Sequence, residues 1–379
     1  VKKKLEAVLK YCRESDMLLL ALCVISTVYG VILIYSTTKS QPGNNDVYIQ
    51  IVSLVIGIGL FILFSLLDID IIADKSKVLY VLSLAFIATL FIWGEGEAGN
   101  RAWLRFGGFG IQPAEVVKIP FVVILAKLIM NFKERRTLNT FLSLVQILAV
   151  FGIMFLMIIA SSSDLGSALV YFFILIVMLF VAGLDLKWFL IGGAALAALA
   201  PLLWMQLNQT QKDRILAPFD PTVDPTGWGI MWQANQSKLA ISAGNLFGKG
   251  LYNGPMTQSG SVPRQNTDFI FSVAGEELGL VGCFLIIVLL LAVITRCIYV
   301  GIKSNNTLGL LVCVGLASML ISQMFENIGM CLGITPVIGL TLPFFSSGGS
   351  SIVTMFAAMG VVSGIKMRPK PMRFRSNER

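Results

Sequence analysis

The sequence predicts an all-α polytopic membrane protein of about ten transmembrane helices, with a large extracellular loop between helices 7 and 8. Three observations carry this. Of 379 residues, 56% are hydrophobic and 13% charged, and the mean hydropathy of +0.82 lies well above that of a soluble domain. Apolar runs long enough to cross a bilayer recur along the whole chain. Between Leu207 and Glu277 a polar stretch of about 60 residues interrupts them, far longer than an ordinary connector. The chain therefore reads as one integral membrane domain, 1–379, with its large loop near 205–268.

In order, the apolar runs fall near 17–35, 47–67, 78–93, 114–131, 138–160, 165–183, 186–204, 269–300, 307–331 and 345–365. Lys2-Lys3-Lys4 followed by Met17 to Tyr35 has the outline of a signal peptide. The apolar part is too long for one, however, and no small-residue cleavage site follows, so a retained first helix is expected. An even number of spans puts both termini on one side. With the N-terminus cytoplasmic, most of the 29 Lys and Arg fall on that side, including Lys2, Lys3, Lys4, Lys10, Arg13, Lys133, Arg135, Arg136 and the tail from Lys366. The net charge of +8 then serves orientation and attraction to the anionic membrane lipids of the inner leaflet, and calls for no nucleic-acid partner.

Histidine is absent, which removes the usual general base and the commonest zinc ligand. Five of the six cysteines lie in or at the ends of apolar runs and read as small buried residues, without disulfides or a metal cluster. Acid–base chemistry must rest on Asp, Glu, Lys, Tyr or water.

Two other external loops are unusual: the glycine-rich stretch Gly94–Gly110 around Trp103, and Thr335–Ser351, rich in Pro, Gly and Ser. Irregular backbone at membrane depth is tolerated only where protein buries it or it lines a wet cavity. Within the large loop, Pro218–Pro225 reads as turns, Trp232–Ile241 as a short interfacial helix, and Gly244–Gly254 as a flexible turn-rich segment.

The chemistry-bearing residues cluster near the external ends of the spans. Glu115 and Lys118 are three apart after Gln112-Pro113, hence on one helix face, where they form either a structural ion pair or the wall of a polar cavity. Asp164 is placed to cap the sixth helix. Asp213, Asp220 and Asp224 read as loop charges, while Arg101, Arg105, Lys238, Lys249 and Arg264 are cations suited to a phosphate-bearing lipid substrate. Asp268 sits where the large loop re-enters the membrane. It is either the N-cap of the eighth helix or a partly buried carboxylate with a raised pKa, able to take a proton from an alcohol. Glu276 and Glu277 lie two turns deeper and could support it, bind a cation, or pack against Lys or Ser.

Three segments together resemble the SEDS (shape, elongation, division, sporulation) family, which includes the RodA, FtsW and SpoVE types: NRAWLRFGGFGIQPAEVVK (100–118), NTDFIFSVAGEELGLVG (266–282) and IGMCLGITPVIGLTLPFFSSGGSS (328–351). DLGSALV (164–170) and QSKLAI (236–241) add to the likeness, which covers nearly the whole chain; the short termini are closest to the RodA type. The chain departs from the family pattern at Ser162-Ser163, where Gln-Pro is usual, at Ser347, where Tyr is usual, and around Gly229–Gln233.

The resemblance implies a peptidoglycan glycosyltransferase of the bacterial cytoplasmic membrane that polymerises lipid II into β-1,4-linked strands for elongation, division or sporulation. It places the catalytic aspartate at Asp268. It also implies substrate contacts at Trp103, Arg101, Glu115, Lys118, Lys238, Arg264, Ser346 and Ser350, with undecaprenyl pyrophosphate as leaving group. A divalent cation (Mg2+ or Mn2+), its ligands left open, and a class B penicillin-binding protein as partner are further implications. The rival expectations are a lipid II flippase, whose cavity must open to both faces, and a scaffold without catalysis.

Overall fold

The computed structural model describes residues 2–39, 45–96, 101–106, 109–304 and 306–368. Glycines 107–108 of the first segment and the basic tail beyond Arg368 lie outside the described residues. The chain opens with a helix the hydropathy pattern did not mark, α1 (Lys2–Glu14), then enters α2 (Met17–Thr38) after a two-residue joint. There follow α3 (Asp46–Leu66), the short α4 (Ile69–Asp74), and α5 (Ser76–Ala88) continued by α6 (Leu90–Trp93). A small hairpin of β1 (Leu104–Phe106) and β2 (Phe109–Ile111) pairs antiparallel, with Arg105 opposite Gly110. Next come α7 (Pro113–Glu134), α8 (Phe141–Ser162), α9 (Leu165–Ala182) and α10 (Leu186–Gln206). The large loop carries α11 (Gln209–Leu216), α12 (Trp232–Gly244) and α13 (Pro255–Ser259), and the chain closes with α14 (Ile270–Lys303), α15 (Thr307–Cys331) and α16 (Gly349–Met367).

Among the described residues, 9 helical segments are long and apolar enough to span a membrane. The 22-residue α7 is of the same length but carries Glu115, Lys118, Lys127 and Lys133 within it. With it, the expected set of about ten spans is present. The last begins at Gly349 rather than near residue 345, because Phe344 takes a left-handed conformation (φ 69°) and the Pro-Gly-Ser segment before it stays irregular.

Helices α9, α15 and α16 are mostly buried in the bundle and α7 packs against all three, while α10 stands apart, with none of its apolar core covered. Close approach of α3 and α16 depends on two glycines one turn apart: a side chain at Gly360 would strike the Phe61 backbone, and one at Gly364 the Ser65 backbone. Without a hydrophobic drive between spans in lipid, this kind of small-residue contact supplies the packing energy.

The first and last described helices of the chain are joined on one side of the bundle. The carboxylate of Asp16, fully buried, caps α2 by accepting from the Leu19 N–H and pairs with Arg296 Nε at 2.8 Å and Lys366 Nζ at 3.6 Å. Lys366 also donates to the Ser15 carbonyl, and Tyr11 bonds Ser65. The loops bearing Asp46, Gln112, Asp164, Asp268 and Ser346 lie at the opposite ends of the same spans.

Two parts of the large loop are tied into the bundle. The expected short helix is present as α12, with one face packed on protein: Ala234, Ser237, Ala240 and Gly244 are buried, and Ser237 bonds Ser272 of α14 and the Cys331 carbonyl. The segment from Gly244 is not free either. α14 breaks at Gly279 (φ 69°, ψ −163°), and the loop completes its backbone bonding. The N–H groups of Lys249 and Gly250 donate to the Glu276 and Glu277 carbonyls, and those of Leu280 and Val281 donate to the Asn245 and Leu246 carbonyls. A break at this depth needs such partners, since water is scarce. Only glycine suits the break, because a Cβ on Gly279 would sit 2.4 Å from the Gly248 nitrogen.

Candidate active site

Asp268 does not cap α14. The cap position is Phe269, without a side-chain bond, because the turn Arg264–Phe269 runs on into the helix: the N–H groups of Thr267 and Phe269 both donate to the Arg264 carbonyl. Arg264 itself sits at φ 49°, a conformation rare for a residue other than glycine. Its guanidinium lies 3.6 Å from Asp268 Oδ2, with the carboxylate side chain 9% exposed and the arginine 54% exposed. Burial raises the Asp268 pKa above the usual aspartate value, and the Arg264 charge and the Thr267 hydroxyl offset part of that rise.

Three elements hold this turn. Asn327 of α15 donates through Nδ2 to the Asp268 carbonyl at 2.8 Å and to the Leu340 carbonyl at 2.7 Å. Ser346 Oγ donates to the Thr267 carbonyl at 2.6 Å and accepts from the Leu342 N–H, and the Ser347 N–H donates to the Asn266 carbonyl. From α3, Gln50 Nε2 donates to the Ser346 carbonyl and Asp46 accepts from Asn266 Nδ2. The irregular Thr335–Ser351 segment is therefore packed in protein and closes around Asp268, with Gly339 beside the carboxylate.

The second polar centre is the Glu115–Lys118 pair on α7, both residues buried and bonded to each other. Gln323 of α15 donates to both Glu115 carboxylate oxygens at 3.4 Å. Gln323 and Asn327 are four apart, about 6 Å in rise, so they share one face of α15 and bond the Glu115–Lys118 pair and the Asp268 turn from one stripe. Asp164 caps α9 as expected, accepting from the Ser167 N–H and hydroxyl, and it also accepts from Gln112 Nε2 at 2.9 Å. Its pKa is raised by burial and lowered in part by the Ser167 bonds.

The remaining expected residues divide. Ser346 is knit into the turn, as above. Ser350 Oγ accepts weakly from the Gln112 N–H at 3.4 Å, which brings it to the entrance of α7. Lys238 is exposed on α12 and its chain lies along Gly333, one residue from Ser237. The Trp103 indole covers Gly110 on the hairpin, and its backbone bridges Glu95. Arg101 and Arg105 line a separate surface cavity of about 320 Å3 with Gly94, Glu95 and Gly96, apart from Asp268.

Gln323, Asn327 and Glu326 were not marked by the sequence reading. Glu326 accepts from Ser322 on one oxygen, while the other is buried without a partner among the described residues. The signal was present: Ser322-Gln323 and Glu326-Asn327 are polar pairs four apart in an otherwise apolar span. Of Glu276 and Glu277, expected as supports for Asp268, cation ligands or partners of Lys or Ser, Glu276 has both oxygens bonded to protein donors, while Glu277 accepts from Ser36 on Oε1 and its Oε2 is buried without a partner among the described residues. Among the described residues, no three His, Cys, Asp or Glu side chains gather in a way that could hold a metal ion.

A helical bundle whose spans enclose ionisable residues at one end defines an integral membrane protein with an internal polar site. Comparison places it further: the chain belongs to the FtsW, RodA and SpoVE family, described as cell cycle proteins, whose model matches residues 16–370. It is 32% identical over 361 residues to the peptidoglycan glycosyltransferase MrdB of Escherichia coli strain K12, covering 94% of each chain. Among solved structures it resembles a chain of a peptidoglycan synthase complex that coordinates polymerization and crosslinking, at TM-score 0.78 and 29% identity, covering 95% of this chain and 99% of that one. It also resembles the rod shape determining protein RodA of Thermus thermophilus, at TM-score 0.66 and 28% identity, covering 93% and 96%.

Proposed function

We infer that this chain is a peptidoglycan glycosyltransferase that polymerises lipid II on the outer face of the bacterial cytoplasmic membrane, with both termini cytoplasmic. The observation that carries the reading is a buried carboxylate, Asp268, held at the end of the bundle away from the Asp16 cluster, its turn bonded from the same stripe of α15 as the Glu115–Lys118 pair. The basic residues near the termini support the orientation.

Asp268 takes the proton of the acceptor GlcNAc 4-hydroxyl as its oxygen bonds to the anomeric carbon of the donor strand. The bond from that carbon to undecaprenyl pyrophosphate breaks, the bonding pair leaves with the pyrophosphate, and inversion gives a β-1,4 link. Arg264, mostly exposed beside Asp268, is the nearest cation to stabilise the departing charge. Lys238 on α12 extends the basic lining toward the lipid-linked phosphates, and Arg101, ahead of the hairpin in a separate cavity with Arg105, is a second basic patch for them.

Dependence on Mg2+ or Mn2+ is part of the proposal. Mg2+ takes most of its ligands from phosphate oxygens and water and needs only one or two carboxylates. When bound, the ion neutralises pyrophosphate charge. The similarity to a chain of a synthase complex supports a class B penicillin-binding protein as the partner that crosslinks the product.

A flippase requires a path through both faces, and the Asp16–Arg296–Lys366 cluster occupies the terminal end of the bundle. The deciding experiment is polymerisation of labelled lipid II by the purified chain with its partner. Asp268→Ala abolishes polymer, and EDTA stops the wild-type reaction until Mg2+ is restored. Unimpaired polymer from Asp268→Ala refutes the assignment, and transbilayer movement of lipid II in proteoliposomes that survives the substitution favours the flippase.

A further inference from the structure

We propose that Glu276 is a positioning residue for the reaction assigned to Asp268: through Thr257 and Gln265 its carboxylate fixes the turn that presents Asp268 to the acceptor hydroxyl. The proposal rests on the reading of Asp268 as the base.

Glu276 is fully buried, two turns inside α14 from Asp268, at the upper lip of the helix break. Its carboxylate accepts three bonds, all from the start of α13: the Met256 N–H at 2.8 Å, the Thr257 N–H at 2.8 Å and the Thr257 hydroxyl at 2.6 Å. A five-residue helix has little stability of its own, so these bonds decide where α13 sits. The Thr257 carbonyl then accepts from Gln265 Nε2 at 3.0 Å, and Gln265 is itself buried. Gln265 lies inside the Arg264–Phe269 turn, next to the strained Arg264 that pairs with Asp268. Every link between Glu276 and that turn is thus a hydrogen bond closed off from solvent.

The neighbouring carboxylate shows that this wiring is particular. Glu277 is equally buried, yet its oxygen Oε1 accepts from Ser36 of α2 and from the Gln258 side chain, and it makes no bond to Thr257. Glu277 therefore ties α14 to α2 and, through the Gln258 side chain, to α13, whereas Glu276 holds Thr257, the residue whose carbonyl Gln265 bonds. A carboxylate suits the three donors as a glutamine does not, since the amide NH2 would face an N–H or O–H. Gly254 leaves the room it needs: a Cβ there would come 2.7 Å from Glu276 Oε2.

A misplacement of the base by about 1 Å lowers turnover by up to about 100-fold without weakening binding. The test measures kcat and KM for lipid II in the polymerisation assay above, with folding checked by gel filtration and thermal melting. Glu276→Gln lowers kcat at least about tenfold with KM within about twofold of wild type. Thr257→Val, which loses one of the three bonds, lowers kcat in the same direction, and Thr257→Ser restores it. Glu277→Gln is the comparison, removing a buried carboxylate whose Oε2 accepts no bond among the described residues, and leaves kcat nearer wild type. A folded Glu276→Gln protein with wild-type kcat overturns the proposal, as does a loss that falls on KM or is equalled by Glu277→Gln. Should Glu276→Gln misfold, the Thr257 pair decides by the same readouts. Asp268→Ala run in parallel separates the two claims, because polymer from that variant sinks the reading of the base instead.

Discussion

At the scale of single residues, Asp268 faces two opposed demands. Burial favours its neutral form, whereas a base must be ionised. Because its folded pKa is raised, the stability linked to its proton is fully present below the unfolded aspartate value and is lost as pH rises through the folded value. Ionised Asp268 therefore strains the fold at neutral pH. Asp268→Asn melts at a higher temperature than wild type at pH 7 while making no polymer, and the difference disappears at acid pH. In the same terms, the acid limb of the pH–kcat profile lies above the ordinary aspartate range; a limb at or below it would contradict the burial argument. The sequence made Asp268, Glu115 and Lys118 visible because each interrupts an apolar run. It left Gln323 and Asn327 unread, since amides inside a span carry no charge to draw attention, and only the folded bundle shows which carbonyl or carboxylate each one meets.

At the scale of elements, the break in α14 shows where pattern reading stops. The apolar run 269–300 reads as one helix, and GNLFGKGLYNG reads as loose, yet each completes the other. Local rules could place the glycines but not their partners, which are more than 25 residues away in sequence. The consequence is testable. Gly279→Ala forces a side chain onto a left-handed backbone and within 2.4 Å of Gly248, so it destabilises the protein by at least about 2 kcal/mol in a detergent melt. Gly192→Ala, on α10 with nothing within 4 Å, changes stability by no more than about 1 kcal/mol. Equal effects from the two would mean that the break tolerates a side chain.

At the scale of the whole molecule, the count and order of the spans were legible because lipid imposes length and apolarity on every crossing. The joining of α2 to α14 and α16 was not, as it depends on Asp16, Arg296 and Lys366, three charges far apart in the chain. Asp16 is fully buried and its cations are partly exposed. Removing it leaves both cations without their shared anion and α2 without its cap. Asp16→Ala lowers stability by about 3 kcal/mol and leaves KM for lipid II near wild type, because the cluster lies at the far end from Asp268. A change in KM matching the loss of stability would mean that the two ends are coupled.

The loop that fills the α14 break is synthesised before the helix it completes. Until residues 276–281 are made, the Lys249 and Gly250 N–H groups and the Asn245 and Leu246 carbonyls have none of the partners they hold in the folded chain. The break in α14 therefore closes only when both segments are in place, and a chain stopped short of residue 276 carries a loop without its counterpart.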